Sequence, residues 1–175
     1  MSILVITGSA RQESFTRQVG AAFVAATADA VLAPRLTDLP YFDQDLEATP
    51  PAVVTALRAQ VEAADYLVIV TPEYNGAISG LLANTIDWLS RPVGDQPGVL
   101  TSKPVLAVAA SPGGFGGARA LVALRTVLGN AGAVLMEATL TIPEVHLRLA
   151  GEGLDLHVEV AGLLAAETAR VALVA

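Results

Sequence analysis

The sequence contains no cysteine, which removes disulfides, thiolate metal sites and cysteine nucleophiles together. Stability must then come from the core. Charge is also scarce, at 15% of residues, and the positive sign is the minority: 10 Lys and Arg stand against 17 Asp and Glu, a formal charge of −7. A chain without excess cations gains nothing from counterion release on nucleic acid and is repelled by anionic membranes, so neither is expected as a partner. No stretch approaches the roughly 18 uninterrupted apolar residues of a membrane span. The opening "MSILVITGS" lacks the basic segment of a secretory leader, and a cytoplasmic setting is the expectation. There is no H-E-x-x-H and no G-x-S-x-G elbow, which sets aside zinc-peptidase and serine-hydrolase chemistry. His146 and His157 have no accompanying ligand cluster, so they read as surface or structural residues, and no metal site is expected.

What is present is apolar: 53% of the 175 residues are hydrophobic, enough for one core, and the expectation is a single domain over 1–175. Aromatics are only 5%, while alanine, valine and leucine abound, a composition suited to helices packed closely on a sheet. "ILVIT" at 3–7, "YLVIV" at 66–70 and "PVLAVAA" at 104–110 are continuous apolar runs, the pattern of strands buried on both faces. "AVLAPRL" at 30–36 and "AVLMEATLTI" at 133–142 supply two more strands, although Pro34 puts the end of the first at a sheet edge or outside it. Helical spacing follows each: Phe15, Val19 and Phe23 after Ser14; Val54, Leu57 and Val61 after a start at Thr49; Leu82, Ile86 and Leu89; Leu121, Leu124 and Leu128, punctuated by Gly129 and Gly132. An alanine-rich stretch from about 158 predicts a closing helix, and "DLPYFDQDLEATPP" a surface excursion. Alternating strands and helices predict an α/β, doubly wound, five-stranded parallel sheet with helices on both faces.

In such a sheet ligands bind beyond the carboxyl ends of the strands, and the order 2-1-3-4-5 brings strands 1, 3 and 4 side by side. Three unusual loops follow those strands: "GSARQESFT", "TPEYNG" and "SPGGFGG". The first offers the hydroxyls of Ser9, Ser14 and Thr16, the Arg11 guanidinium and a helix N-terminus, all donors suited to a phosphate monoester. Ser14 as a plain helix cap with Arg11 solvated is an equal reading. G-x-x-x-x-G-K-[ST] is absent, and "GGFGG" follows a late strand with Arg119 where a final glycine would fall, so neither a P-loop nor a Rossmann dinucleotide site is expected. A mononucleotide fits better. The glycines of the other two loops let backbone approach a flat ring. Tyr74 is as readily a half-buried aromatic as a ligand contact, and Asn75 as readily a turn residue with positive φ.

On these three segments, "GSARQESFTR", "TPEYNGAISGLLANTIDWLSRP" and "SPGGFGGARALVALR", the chain resembles the NAD(P)H-dependent FMN reductases, flavodoxin-like proteins that include azo, quinone and chromate reductases. The resemblance spans residues 2 to about 140. It implies FMN phosphate at Ser9, Arg11, Ser14 and Thr16, with Phe15 among the same cofactor-binding residues. It sets the isoalloxazine against Pro72, Glu73, Tyr74, Asn75 and Gly76, with Ser111, Gly113 and Gly114 on the other side. Thr16 stands where the family often has asparagine, which keeps a donor, and Ala83 where lysine is frequent, which removes a charge. The resemblance further implies NAD(P)H as co-substrate, a small-molecule acceptor such as a quinone, azo compound, chromate or free flavin, and a homodimer or homotetramer built around the helix at 79–90. Trp88 is then either an interface residue or, more simply, a core one.

The flavin carries such chemistry, so no catalytic side chain is required, and donor and acceptor sharing one open face gives ping-pong kinetics. The alternative is a flavodoxin-like electron carrier passing single electrons to protein partners. Carriers shield the ring between aromatic side chains, whereas these loops hold glycine and proline with one tyrosine.

Overall fold

The computed structural model describes residues 2–151 and Gly162. Five strands, β1 (Ile3–Thr7), β2 (Ala30–Leu32), β3 (Tyr66–Thr71), β4 (Pro104–Ala110) and β5 (Val134–Ile142), form one sheet in the order β2-β1-β3-β4-β5. Every pairing is parallel. The helices are α1 (Phe15–Ala26), α2 (Ala52–Ala63), α3 (Gly80–Ser90), α4 (Ala118–Asn130) and the short α5 (Val145–Leu149). The closing helix expected from about 158, and His157, lie outside the described residues apart from Gly162.

The continuous apolar runs follow from burial on both faces. Leu4, Ile6, Leu67, Ile69 and Ala107 point to one side, where Val54, Leu57 and Val61 of α2, Leu82 and Ile86 of α3, and Leu124 of α4 close over them. Ile3, Val5, Val68, Val70 and Val108 point to the other, against Val19 and Phe23 of α1 and Val145 of α5. Successive residues of a strand face opposite sides, so a strand in the middle layer has no polar position to spare.

Two boundaries differ from the sequence reading. β2 ends at Leu32, not at Leu36. Ala33 N still donates to Val5 O at 2.8 Å, but Pro34 has no N–H to continue the ladder, and Leu36 begins a 3₁₀ turn. The run stays apolar because Ala33 and Leu36 are buried beyond the strand's end. Likewise Pro51, not Thr49, occupies the cap of α2, with no side-chain hydrogen bond there. Gly129 falls inside the last turn of α4, and Gly132, at φ +83°, makes the turn beyond it.

Trp88 is 1% exposed, so it is a core tryptophan. Its Nε1 donates to Pro40 O at 2.9 Å, and its ring meets Phe42 edge-on with centroids 5.0 Å apart. Asn84 adds a second clasp, accepting from Phe42 N at 2.7 Å and donating to Pro40 O at 2.9 Å. The proline-rich excursion is thereby tied to the outer side of α3.

Candidate flavin site

The carboxyl ends of β1, β3 and β4 are adjacent, and their three loops wall a single small cavity. Ser9, Arg11, Ser14, Phe15 and Thr16 form one wall, Pro72, Glu73 and Tyr74 a second, and Ser111 a third. Ala110, which the sequence did not single out, and Pro112 at the entry to the third loop complete it. Asn75, Gly76, Gly113 and Gly114 lie outside that wall, on the same loops.

The first wall is a helix start. Ser14 has extended backbone and its hydroxyl accepts from Arg17 N at 3.3 Å, so it does cap α1. It also shares a hydrogen bond of 2.8 Å with the Thr16 hydroxyl, and both residues are buried. One hydroxyl proton is used within that pair, which leaves the other for a group in the cavity. A helix cannot satisfy its own first-turn amides, so those of Phe15 and Thr16 add donors at the positive end of the helix dipole. Ser9 Oγ accepts from Arg11 N at 3.3 Å, which curls the loop, and the exposed Arg11 guanidinium lies 5.8 Å from the Phe15 ring centre. On its other side Phe15 meets His146, with ring centres 6.3 Å apart, which gives that histidine a surface packing role. Hydroxyl protons, helix-start amides and one exposed cation are donors of the kind that suit a phosphate monoester.

The second wall is a tight turn. Tyr74 and Ala77 exchange both backbone hydrogen bonds, each at 3.0 Å, and Asn75 and Gly76 between them have φ of +54° and +75°. Two positive φ values in succession define a type I′ turn, for which Asn-Gly is the favoured pair. The turn uses the amides of Tyr74 and Ala77, leaving those of Asn75 and Gly76 to face outward. Glu73 has a different task from its neighbours. Its Oε2 accepts from Arg119 N at 3.1 Å and Ala120 N at 3.2 Å, and its Oε1 lies 3.7 Å from Arg119 Nη1. Gly117 occupies the cap position of α4 and has no side chain to cap with, so the carboxylate is supplied from the neighbouring loop.

The third wall is sewn to the end of β5: Ser111 N donates to Ile142 O at 3.2 Å, Val145 N to Ser111 O at 3.2 Å, and Glu144 N to Gly113 O at 3.3 Å. Within "GGFGG" the glycines divide. A Cβ on Gly116 would lie 2.7 Å from Pro143 N, and one on Gly117 3.0 Å from Ala109 Cβ. A Cβ on Gly114 would meet nothing within 4 Å, and one on Gly113 only Ser111 Oγ at 3.8 Å. The inner pair is required by the fold, whereas the outer pair leaves room that none of the described residues fills.

Ser79 was missed by sequence reasoning. It caps α3, accepting from Leu82 N at 3.1 Å, and its hydroxyl donates to Gly8 O, which locks the first loop to the helix after the second. A serine ahead of "GLL" is a readable cap signal, but its second partner lies 71 residues away.

A five-stranded parallel sheet in the order β2-β1-β3-β4-β5, with helices packed on both of its faces, defines a flavodoxin-like protein of the doubly wound class. A family profile, NADPH-dependent FMN reductase, matches residues 1–146. The chain is 40% identical over 141 residues to a quinone reductase of Escherichia coli K12, covering 78% of this chain and 73% of that one. It is 36% identical over 156 residues to a 2-hydroxy-1,4-benzoquinone reductase of a Burkholderia species, covering 85% and 79%. Among solved structures, the flavoenzyme NAD(P)H:(acceptor) oxidoreductase FerB of Paracoccus denitrificans superposes with a TM-score of 0.71 at 30% identity, over 78% of this chain and 75% of that one. The chain belongs to the NADPH-dependent FMN reductase family, and is thereby an NAD(P)H-dependent oxidoreductase.

Proposed function

We propose that the chain binds FMN across the three loops and passes reducing equivalents from NAD(P)H to a small acceptor, a quinone first among them. The observation that carries this reading is the convergence of the α1 donor set with unfilled space beside Gly113 and Gly114. Ser9, Arg11, Ser14 and Thr16, with the first-turn amides, would hold the phosphate, and Phe15 would steady Arg11 over it. Pro72, Glu73, Tyr74, Asn75 and Gly76 would border one side of the isoalloxazine, and Ser111, Gly113 and Gly114 the other.

FMN, when bound, supplies the acceptance and return of a hydride, so the residues need only bind and orient. The Asn75 and Gly76 amides, which the turn's own bonds leave unused, would donate to a ring edge. Glu73, fixed on the start of α4, keeps the turn that carries them from swinging. Tyr74 is 48% exposed and, among the described residues, no aromatic but Tyr74 and Phe15 lines the cavity, so one ring face would stay open to nicotinamide and then to the acceptor. That is the basis for proposing a ping-pong order, and it disfavours a carrier. The relatives' names point to quinones. A cytoplasmic homodimer or homotetramer belongs to the same reading, and among the described residues no helix is long and apolar enough to cross a membrane.

The test is a fluorescence titration of FMN into ligand-stripped protein, followed in the same cuvette by anaerobic NADPH. Saturable binding with rapid bleaching is expected. Binding without bleaching by NADPH or NADH would make the protein a carrier, and absence of binding would refute the site. Initial-rate lines that intersect rather than run parallel would refute the shared face.

A further inference from the structure

A second cavity, of about 410 Å³, lies between α2 and the segment leading from α3 into β4, and it shares no lining residue with the cavity of the three loops. Its size falls within the range of small-molecule sites, roughly 300–1,000 Å³. The geometry points to a binding site there for a small monocarboxylate with an apolar body, held by Arg58.

Arg58 lines the cavity although it is only 8% exposed. Its Nη1 donates to Trp88 O at 2.8 Å and to Arg91 O at 2.9 Å, at the end of α3. Those two bonds use both Nη1 protons. The Nε proton and both Nη2 protons have no acceptor among the described residues. No buried side-chain nitrogen is sealed away without a partner, so these donors open onto accessible space, and the cavity is the space that Arg58 borders. The Nε and Nη2 edge of a guanidinium presents two parallel N–H groups that match the two oxygens of a carboxylate. Binding two helix-end carbonyls would need only a point donor such as an ammonium group. A guanidinium held in this place leaves its fork turned toward a void, and burial lowers its pKa while Glu62 opposes that effect.

The remaining lining fixes the ligand's charge and body. Lys103 stands on the same wall, with its Nζ on the carbonyls of Glu62 and Ala64, Glu62 is the one acid of the lining and acts on Arg58, and Asp65 acts on Lys103 from outside the lining. The positive excess is therefore single, which suits a monoanion better than a phosphate dianion. Ala59, Val93, Pro97 and Val99 supply an apolar wall for an aromatic or branched aliphatic body.

The probe is benzoate, titrated into the purified full chain and followed by ¹H–¹⁵N spectra of the Arg58 Nε–H and the Gly98 and Thr101 amides. Saturable shifts at all three are expected. Arg58→Lys, which keeps a donor for the carbonyls but loses the fork, should weaken binding about tenfold or more. Glu62→Gln should tighten it about tenfold or less, by removing the opposing charge. Should Arg58→Lys fail to fold, Ala59→Trp on the exposed side of α2 carries the test, since it fills the cavity from a residue that takes no part in the Arg58 bonds to Trp88 O and Arg91 O, and should abolish the shifts. Shifts that survive Ala59→Trp, shifts confined to the three flavin loops, no saturation, or inorganic phosphate binding as tightly as benzoate would each overturn the proposal.

Discussion

The two ends of the sheet are built from similar residues and use them differently. At the amino end polar groups find partners within the chain: Asp65 Oδ2 accepts from Ser2 N at 2.7 Å and from Ser2 Oγ at 3.2 Å, and Lys103 Nζ donates to Ala64 O at 2.6 Å. At the carboxyl end the hydroxyls of Ser14 and Thr16, the start of α1 and Arg11 surround a cavity instead. A serine beside a strand is therefore uninformative alone. What marks a site is a set of donors with unfilled space in front of them, which the three loops have and the Ser2–Asp65 pairing lacks.

The sharpest way to break the comparison lies within one glycine run. Gly116 has φ of +61° and its Cβ would stand 2.7 Å from backbone that cannot retreat without moving β5. Gly116→Ala should cost about 3 kcal/mol or more, from strain and overpacking together. Gly114→Ala, with nothing within 4 Å, should change stability by less than about 0.5 kcal/mol and yet weaken FMN binding. Urea unfolding of both variants checks the first claim and an FMN titration the second. Equal stabilities would mean that the two halves of the run do the same work.

Next in size, Arg11→Ala should weaken FMN binding by about 1.5–3 kcal/mol, the value of a charged hydrogen bond, with the melting temperature of the stripped protein unmoved because Arg11 is exposed. Unchanged FMN affinity would remove the phosphate from this cradle. Ser79→Ala should cost about 1–2 kcal/mol in stability, since it takes away a helix cap and the donor to Gly8 O at once. Because the first loop hangs from that bond, hydrogen exchange at Ser9 and Ala10 should quicken. Unaltered exchange would show that the loop's other bonds, from Arg35 to Ala10 O and Gln12 Oε1, hold it without Ser79.

These cases also show which parts were legible in the sequence. The central strands were, because a layer buried on both sides favours continuous apolar runs, and the order of the sheet is the common one for five strands alternating with helices. The three loops were legible as a group because strand order places them together. Glu73 was read as a ring neighbour, and the sequence could not reveal its bond to α4, since the need arises at Gly117, 44 residues later, in a cap without a side chain. Arg58 looked like any helix arginine, because its partners are carbonyls, which no sequence pattern advertises. Reading β2 too long had the same root: apolarity reports burial, and Ala33 and Leu36 are buried without being strand.

The smallest effect concerns the amino end. The backbone and side-chain donors of Ser2 hold the Asp65 carboxyl below its ordinary pKa and outweigh the opposing effect of desolvation, with the smallest help from positive charge, that of Lys103 included. A carboxyl whose folded pKa is depressed contributes stability that is present above its unfolded pKa, about 4, and is lost as pH falls through the folded value. Asp65→Asn should therefore be less stable than the parent at neutral pH, and the gap should close progressively below about pH 4. Exposure keeps the difference small, and salt should shrink its ionic part. Thermal melts at neutral and acid pH read both trends, and a gap that widens in acid would show that the pairing at this end stabilises nothing.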